Sequence, residues 1–126
     1  TCLGEMWPDD MDFKNAYYWG PLGIDYEFGV LENQTRTAIQ IVHRVGALVV
    51  TAAIIALSFS LKSYVALKKS VAVVLVLLTV QVALGIINVV MSLPMFAATM
   101  HNVVALALLL SLVNLAHKVY SKENAL

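Results

Sequence analysis

"TAIQIVHRVGALVVTAAIIALSFSL", residues 37–61, decides the fold. It is longer than the roughly 20 mostly apolar residues that a bilayer-spanning helix needs. A helix drawn through it is apolar on every face, so a water-soluble bundle would have no polar side to expose. Two more stretches of the same kind follow, at about 70–91 and about 95–120. "KSYVALKK" separates the first two, and "SLPM" separates the last two, where Pro94 suits the first turn of a new helix. The expected class is an all-α integral membrane protein.

Of the 126 residues, 60% are hydrophobic and 13% charged, against about a quarter charged in an ordinary soluble domain. The net charge of zero hides two regions. Glu5, Asp9, Asp10, Asp12, Asp25, Glu27 and Glu32 all precede residue 33, whereas Arg44, Lys62, Lys68, Lys69, Lys118 and Lys122 follow residue 36. This balance gives no reason to expect nucleic-acid binding. Cys2 is the only cysteine, so no disulfide closes within the chain. Without an opening methionine or signal peptide, the chain reads as a piece of a longer one.

The lysines set the orientation. Lys62, Lys68 and Lys69 follow the first span, and Lys118 and Lys122 follow the third. Alternating spans put both groups on one side, which the positive-inside rule makes cytoplasmic. The expected organisation is an extracytoplasmic loop or cap at 1–36 and a transmembrane bundle at 37–126. The outer segment holds Trp7, Tyr17, Tyr18, Trp19, Tyr26 and Phe28, which suit the headgroup level. Asp12 is placed to cap a short helix through about Tyr18, ended by Gly20–Pro21. Asn33 or Thr35 is placed to cap the first span. The "NQT" triplet at 33–35 is a glycosylation sequon of a kind that arises often by chance.

Ionisable groups are costly within a bilayer and mark function. His43 lies about six to eight residues into span one, and His101 about six or seven into span three. At 1.5 Å per residue both sit roughly 10 Å below the outer ends of their helices. Gly46, Ala47 and Val50 follow His43, and Ala97, Ala98 and Ala105 flank His101. Small residues permit close helix packing, and they equally leave room for a flat ligand. Gln81, Gly85 and Asn88 form a stripe on span two that should face the bundle interior, with Asn88 near the histidines' depth.

Zinc or copper would want three or four ligands, and no further His, Cys or carboxylate stands at that depth. Heme iron takes two axial ligands, for which histidine is common, and bundles build such sites from facing helices. Arg44 could then pair with a heme propionate in fork geometry, or snorkel to the headgroups without any ligand. Histidines bonded only to other helices, and a proton relay, remain open beside heme. His117, next to Lys118, reads as an interfacial group near a helix C-terminus.

The ordered set "TCLGEMWP", "MDF", "GIDYEFGVLEN", "RTAIQIVHRVGALVV", "QVALGIINVVMSLP" and "HNVVALALLLSLV" resembles the carboxy-terminal half of the bacterial heme A synthases, over nearly the whole chain. The pattern "LGIxNVxxxLPxxxAxxHN" is its most specific part. The resemblance implies eight transmembrane helices in two similar four-helix halves. It implies oxidation of the heme O methyl group to the formyl group of heme A, which cytochrome oxidase needs. It implies that His43 and His101 hold a heme b cofactor, with the amino-terminal half of the same protein holding the substrate heme. That other half has a glutamate three residues before its first histidine; here the position is Gln40, so this half binds a cofactor and lacks the carboxylate. The resemblance further implies a multi-pass protein of the inner (plasma) membrane, with membrane lipid and heme O synthase as partners.

Two departures accompany the resemblance. The first helix of the half-bundle is expected before residue 1, and Cys2 matches the second member of a cysteine pair whose first member would lie upstream. Alone, three helices of a four-helix half should not make heme A. A non-enzymatic membrane b-type cytochrome is the competing reading, and a structural subunit with hydrogen-bonded histidines is a third.

Overall fold

A computed structural model of the chain describes residues 13–14, 33–91 and 94–123. Three α-helices account for nearly all of them: α1 (Asn33–Leu61), α2 (Lys68–Val90) and α3 (Met95–Glu123). Three segments are long and apolar enough to cross a membrane: Thr37–Leu61 in α1, Val65–Val90, which takes in α2 and the turn before it, and Met95–Ser121 in α3. The all-α membrane class read from the sequence is therefore what the described residues adopt.

The helices run further than hydropathy alone suggests. α1 begins at Asn33, α2 at Lys68 and α3 ends at Glu123. Polar residues at a helix end continue the backbone ladder without being apolar, so hydropathy underestimates these ends. Asn33 and Thr35, placed before the first span by the sequence, lie within α1. The short helix expected between Asp12 and Tyr18 lies outside the described residues except for Phe13 and Lys14, which are not helical. The aromatic belt and Cys2 lie outside them too.

The helical state is enforced by the apolar surroundings that such sequences require. α2 is rich in valine, a β-branched residue of modest helix propensity. In hydrocarbon, however, each backbone N–H and C=O must be satisfied within its own segment, and the helix does that. The hydroxyls follow the same logic. Ser58 donates to the Ile54 carbonyl at 2.8 Å, Ser60 to Ala56 at 3.0 Å, Thr79 to Leu75 at 2.9 Å and Thr99 to Met95 at 2.9 Å. Each side chain thus closes onto the preceding turn of its own helix.

A tight connection links α1 to α2. Tyr64 N–H donates to the Leu61 carbonyl at 3.1 Å, and Leu67 N–H to Tyr64 at 2.9 Å, forming a 3₁₀ turn over Val65–Leu67. Leu67 is buried and anchors that turn. At the start of α3, Ala98 N–H donates to the Pro94 carbonyl at 3.0 Å. Pro94 therefore stands at the capping position, where its missing N–H forfeits nothing.

The chain divides into two compact units, Thr1–Val50 and Thr51–Leu126. In the first, Thr35, Thr37, Ala38 and Ile41 are buried, while His43 and Val45 to Val50 are exposed and Arg44 is half-buried. A Cβ on Gly46 would meet nothing within 4 Å, so no described neighbour requires a glycine there.

The second unit is organised by an antiparallel seam between α2 and α3. Val71, Val74, Leu78, Gln81, Gly85 and Asn88 follow one another at alternating intervals of three and four. Ala97, His101, Val104, Leu108, Ser111, Leu115 and Lys118 do the same on α3. This is the spacing that keeps one stripe of a helix facing one partner. The middle of the seam is apolar, and Val71, Val74, Leu78, Leu108 and Leu115 form the core with Ile54 and Leu67. Its two ends are polar: Gln81, Asn88 and His101 at one, Ser70, Ser111 and Lys118 at the other.

Candidate heme-ligand site

His101 is placed by α3 and seated by α2. A Cβ on Gly85 would lie 3.3 Å from His101 Cε1 and 3.9 Å from Nδ1. The imidazole therefore lies against the helix backbone where α2 has no side chain, and any larger residue would crowd it. One turn along α2, Gln81 Nε2 is 3.2 Å from His101 Nε2. An amide nitrogen only donates, so the imidazole Nε2 accepts and its lone pair points at Gln81. Nδ1 is buried on the Gly85 side.

Around it stand two costly acceptors. Asn88 is 9% exposed, and its Oδ1 is buried with no hydrogen-bond partner among the described residues; the same holds for Gln81 Oε1. An unsatisfied buried polar atom costs about 1–3 kcal/mol, so two on one stripe need a reason beyond packing. The polar stripe anticipated from spacing does face the interior. Gln81 and Gly85 of that stripe meet His101. Antiparallel packing of α2 on α3 brings residues 81–85 opposite 101.

His43 is exposed on α1, and Arg44 beside it is half-buried. Along its own helix, His43 lies six residues past Thr37, where the apolar span begins, and His101 lies six past Met95. His117 is exposed, with Ser121 Oγ 3.5 Å from its Nε2. α3 continues six residues beyond His117 to Glu123. His117 therefore stands outside the last turn, where the helix dipole acts most strongly.

Among the described residues there is no group of three or more His, Cys, Asp or Glu able to hold a bare metal ion. A single histidine on the α2–α3 seam suits an iron most of whose ligands come from a porphyrin. The Gly85 seat, where α2 carries no side chain against the ring, is compatible with that group.

Residues 10–113 match the cytochrome oxidase assembly protein family. The chain is 39% identical to the heme A synthase of Shewanella oneidensis strain MR-1 over 126 residues, which cover 98% of this chain and 38% of that protein. No solved structure matches it.

Proposed function

The chain belongs to the cytochrome oxidase assembly protein family, and from that premise we propose that it is the heme b-holding, carboxy-terminal part of a heme A synthase. The observation that best supports this reading is the seat of the His101 ring against Gly85, on a stripe of α2 that also carries the buried Asn88 and Gln81 carbonyl oxygens. In the proposal His101 is one axial ligand and His43 the other. Arg44 pairs with a propionate, and Asn88 offers its buried carbonyl oxygen to a donor in the site. When bound, heme b would supply a one-electron iron centre.

The whole protein would oxidise the heme O methyl group to the formyl group of heme A, as an oxidoreductase serving cytochrome oxidase assembly. This part would hold and orient the cofactor. Gln40, three residues before His43, is an amide and neither takes nor gives up a proton at neutral pH. The oxidation is therefore assigned to the amino-terminal half of the same protein, with heme O synthase as the source of substrate. The proposed location is the inner membrane, with the lysine-bearing ends of the spans in the cytoplasm.

Extracting hemes from cells that depend on the full-length protein tests this. His101→Ala should abolish heme A and leave heme O to accumulate; an unchanged heme A yield would overturn the assignment. The Gln81 contact also favours a second reading, in which His101 only ties α3 to α2. That reading expects His101→Ala to lower stability while heme A persists.

A further inference from the structure

The opposite end of the α2–α3 seam carries a second polar cluster that the heme assignment does not use. A cleft of about 200 Å³ opens there, lined by Lys69, Ser70, Val73, Ser111, Asn114 and Lys118. Lys118 Nζ donates to Ser70 Oγ at 2.8 Å across the two helices. Ser70 is 8% exposed. It breaks the pattern of Ser58, Ser60, Thr79 and Thr99, whose hydroxyls donate to the preceding turn of their own helices. Its oxygen takes the ammonium, and its own proton has no acceptor among the described residues. Ser111 donates inward to the Leu108 carbonyl at 2.7 Å. The cleft thus offers two ammonium groups, one unspent buried hydroxyl donor and the Asn114 amide. No Asp or Glu lies between residues 33 and 121, and Glu123 follows Lys118 by five residues at the end of α3.

We propose that this cleft binds the phosphate of an anionic phospholipid, with Lys69 and Lys118 flanking it and Ser70 and Asn114 donating to its oxygens. Depth argues for a lipid as the source of the phosphate. Ser70 lies five residues past Val65, where its span starts, and Asn114 lies seven before Ser121, where its span ends. At 1.5 Å per residue that is roughly 7–10 Å inside spans about 40 Å long, at the edge of the roughly 30 Å hydrocarbon core and just beneath the phosphate and glycerol level. Val73, on the wall of the cleft, is 52% exposed and leads to the apolar surface where acyl chains lie. Basic pockets between spans at this level are suited to lipid headgroups. Lys62 provides an internal comparison. It has the same charge and follows the first span, but it stands over the Phe59 ring, 5.5 Å from the centroid, and does not line the cleft.

Native mass spectrometry of the full-length protein, loaded with phosphatidylglycerol against phosphatidylcholine, tests the proposal. Wild type should retain one phosphatidylglycerol preferentially. Lys69→Gln and Lys118→Gln should each weaken retention about fivefold, Ser70→Ala should weaken it with no change of charge, and Lys62→Gln should leave it within twofold. Ten-millimolar-range inorganic phosphate should not displace the lipid. Equal losses for Lys62→Gln and Lys118→Gln would reduce the effect to diffuse surface attraction and overturn the proposal. So would displacement by inorganic phosphate, or full retention by Ser70→Ala and Lys118→Gln together. Should the lysine variants unfold, Ser70→Ala alone decides the matter, because Ser70 is the donor specific to the cleft.

Discussion

Replacing Gly85 by alanine perturbs the seat of His101 by a calculable amount. The new methyl carbon would stand 3.3 Å from Cε1, just short of the 3.4–4 Å range of ordinary contact. The ring must retreat by a few tenths of an ångström. Gln81 Nε2 already sits 3.2 Å from His101 Nε2, and a bond stretched to about 3.6 Å is no longer one. The retreat therefore weakens a hydrogen bond contributing about 0.5–1.5 kcal/mol. Alanine in a helix gains roughly 1 kcal/mol over glycine. The two effects offset, so Gly85→Ala should unfold within about 1 kcal/mol of wild type while changing how His101 is held. Leucine cannot be fitted by a small retreat and should drive the ring off the backbone. Thermal unfolding in detergent micelles and the visible spectrum of the heme-loaded full-length protein read the two consequences separately. Gly85→Leu with wild-type stability and a wild-type spectrum would refute the seating of His101 on Gly85.

Other substitutions probe neighbouring parts of the account. Gln81→Leu removes the amide that competes for His101 Nε2, so heme titration of the heme-free protein should show affinity raised by up to about fivefold; weaker binding would mean that Gln81 supports the ligand instead. Leu115→Ala, at a site 1% exposed, should destabilise by about 2 kcal/mol, the low end of such truncations, because lipid supplies no hydrophobic drive between helices. Leu48→Ala, at a site 72% exposed, should change stability by under about 0.5 kcal/mol in the same chemical-denaturation assay. Arg44→Ala should retain heme but shift its midpoint potential or weaken its binding in a redox titration; no change in either would assign Arg44 to the headgroups.

The three helices were legible because their apolar runs are long and uninterrupted, and a membrane leaves the backbone few alternatives. The helix ends were not, since Asn33, Lys68 and Glu123 continue a ladder that hydropathy does not register. His43 and His101 stood out as rare ionisable residues at one offset from the start of their spans. The orientation of the Gln81–Gly85–Asn88 stripe was legible from its spacing, but its register against α3 was not. That register depends on how Val71, Val74 and Leu78 mesh with Leu108 and Leu115, a packing relation between two helices that neither helix encodes alone. The cleft at Ser70 and Lys118 was invisible for the same reason: the two residues are 48 apart in the chain and meet only when the seam closes.

The most direct measurement is the coordination state of iron in the purified full-length protein, read by visible absorption and low-temperature electron paramagnetic resonance. The account predicts a low-spin, six-coordinate b-type signal that is strongly disturbed by His43→Ala and by His101→Ala, each alone. A low-spin signal unchanged in both variants would contradict the assignment of these two histidines as the ligands.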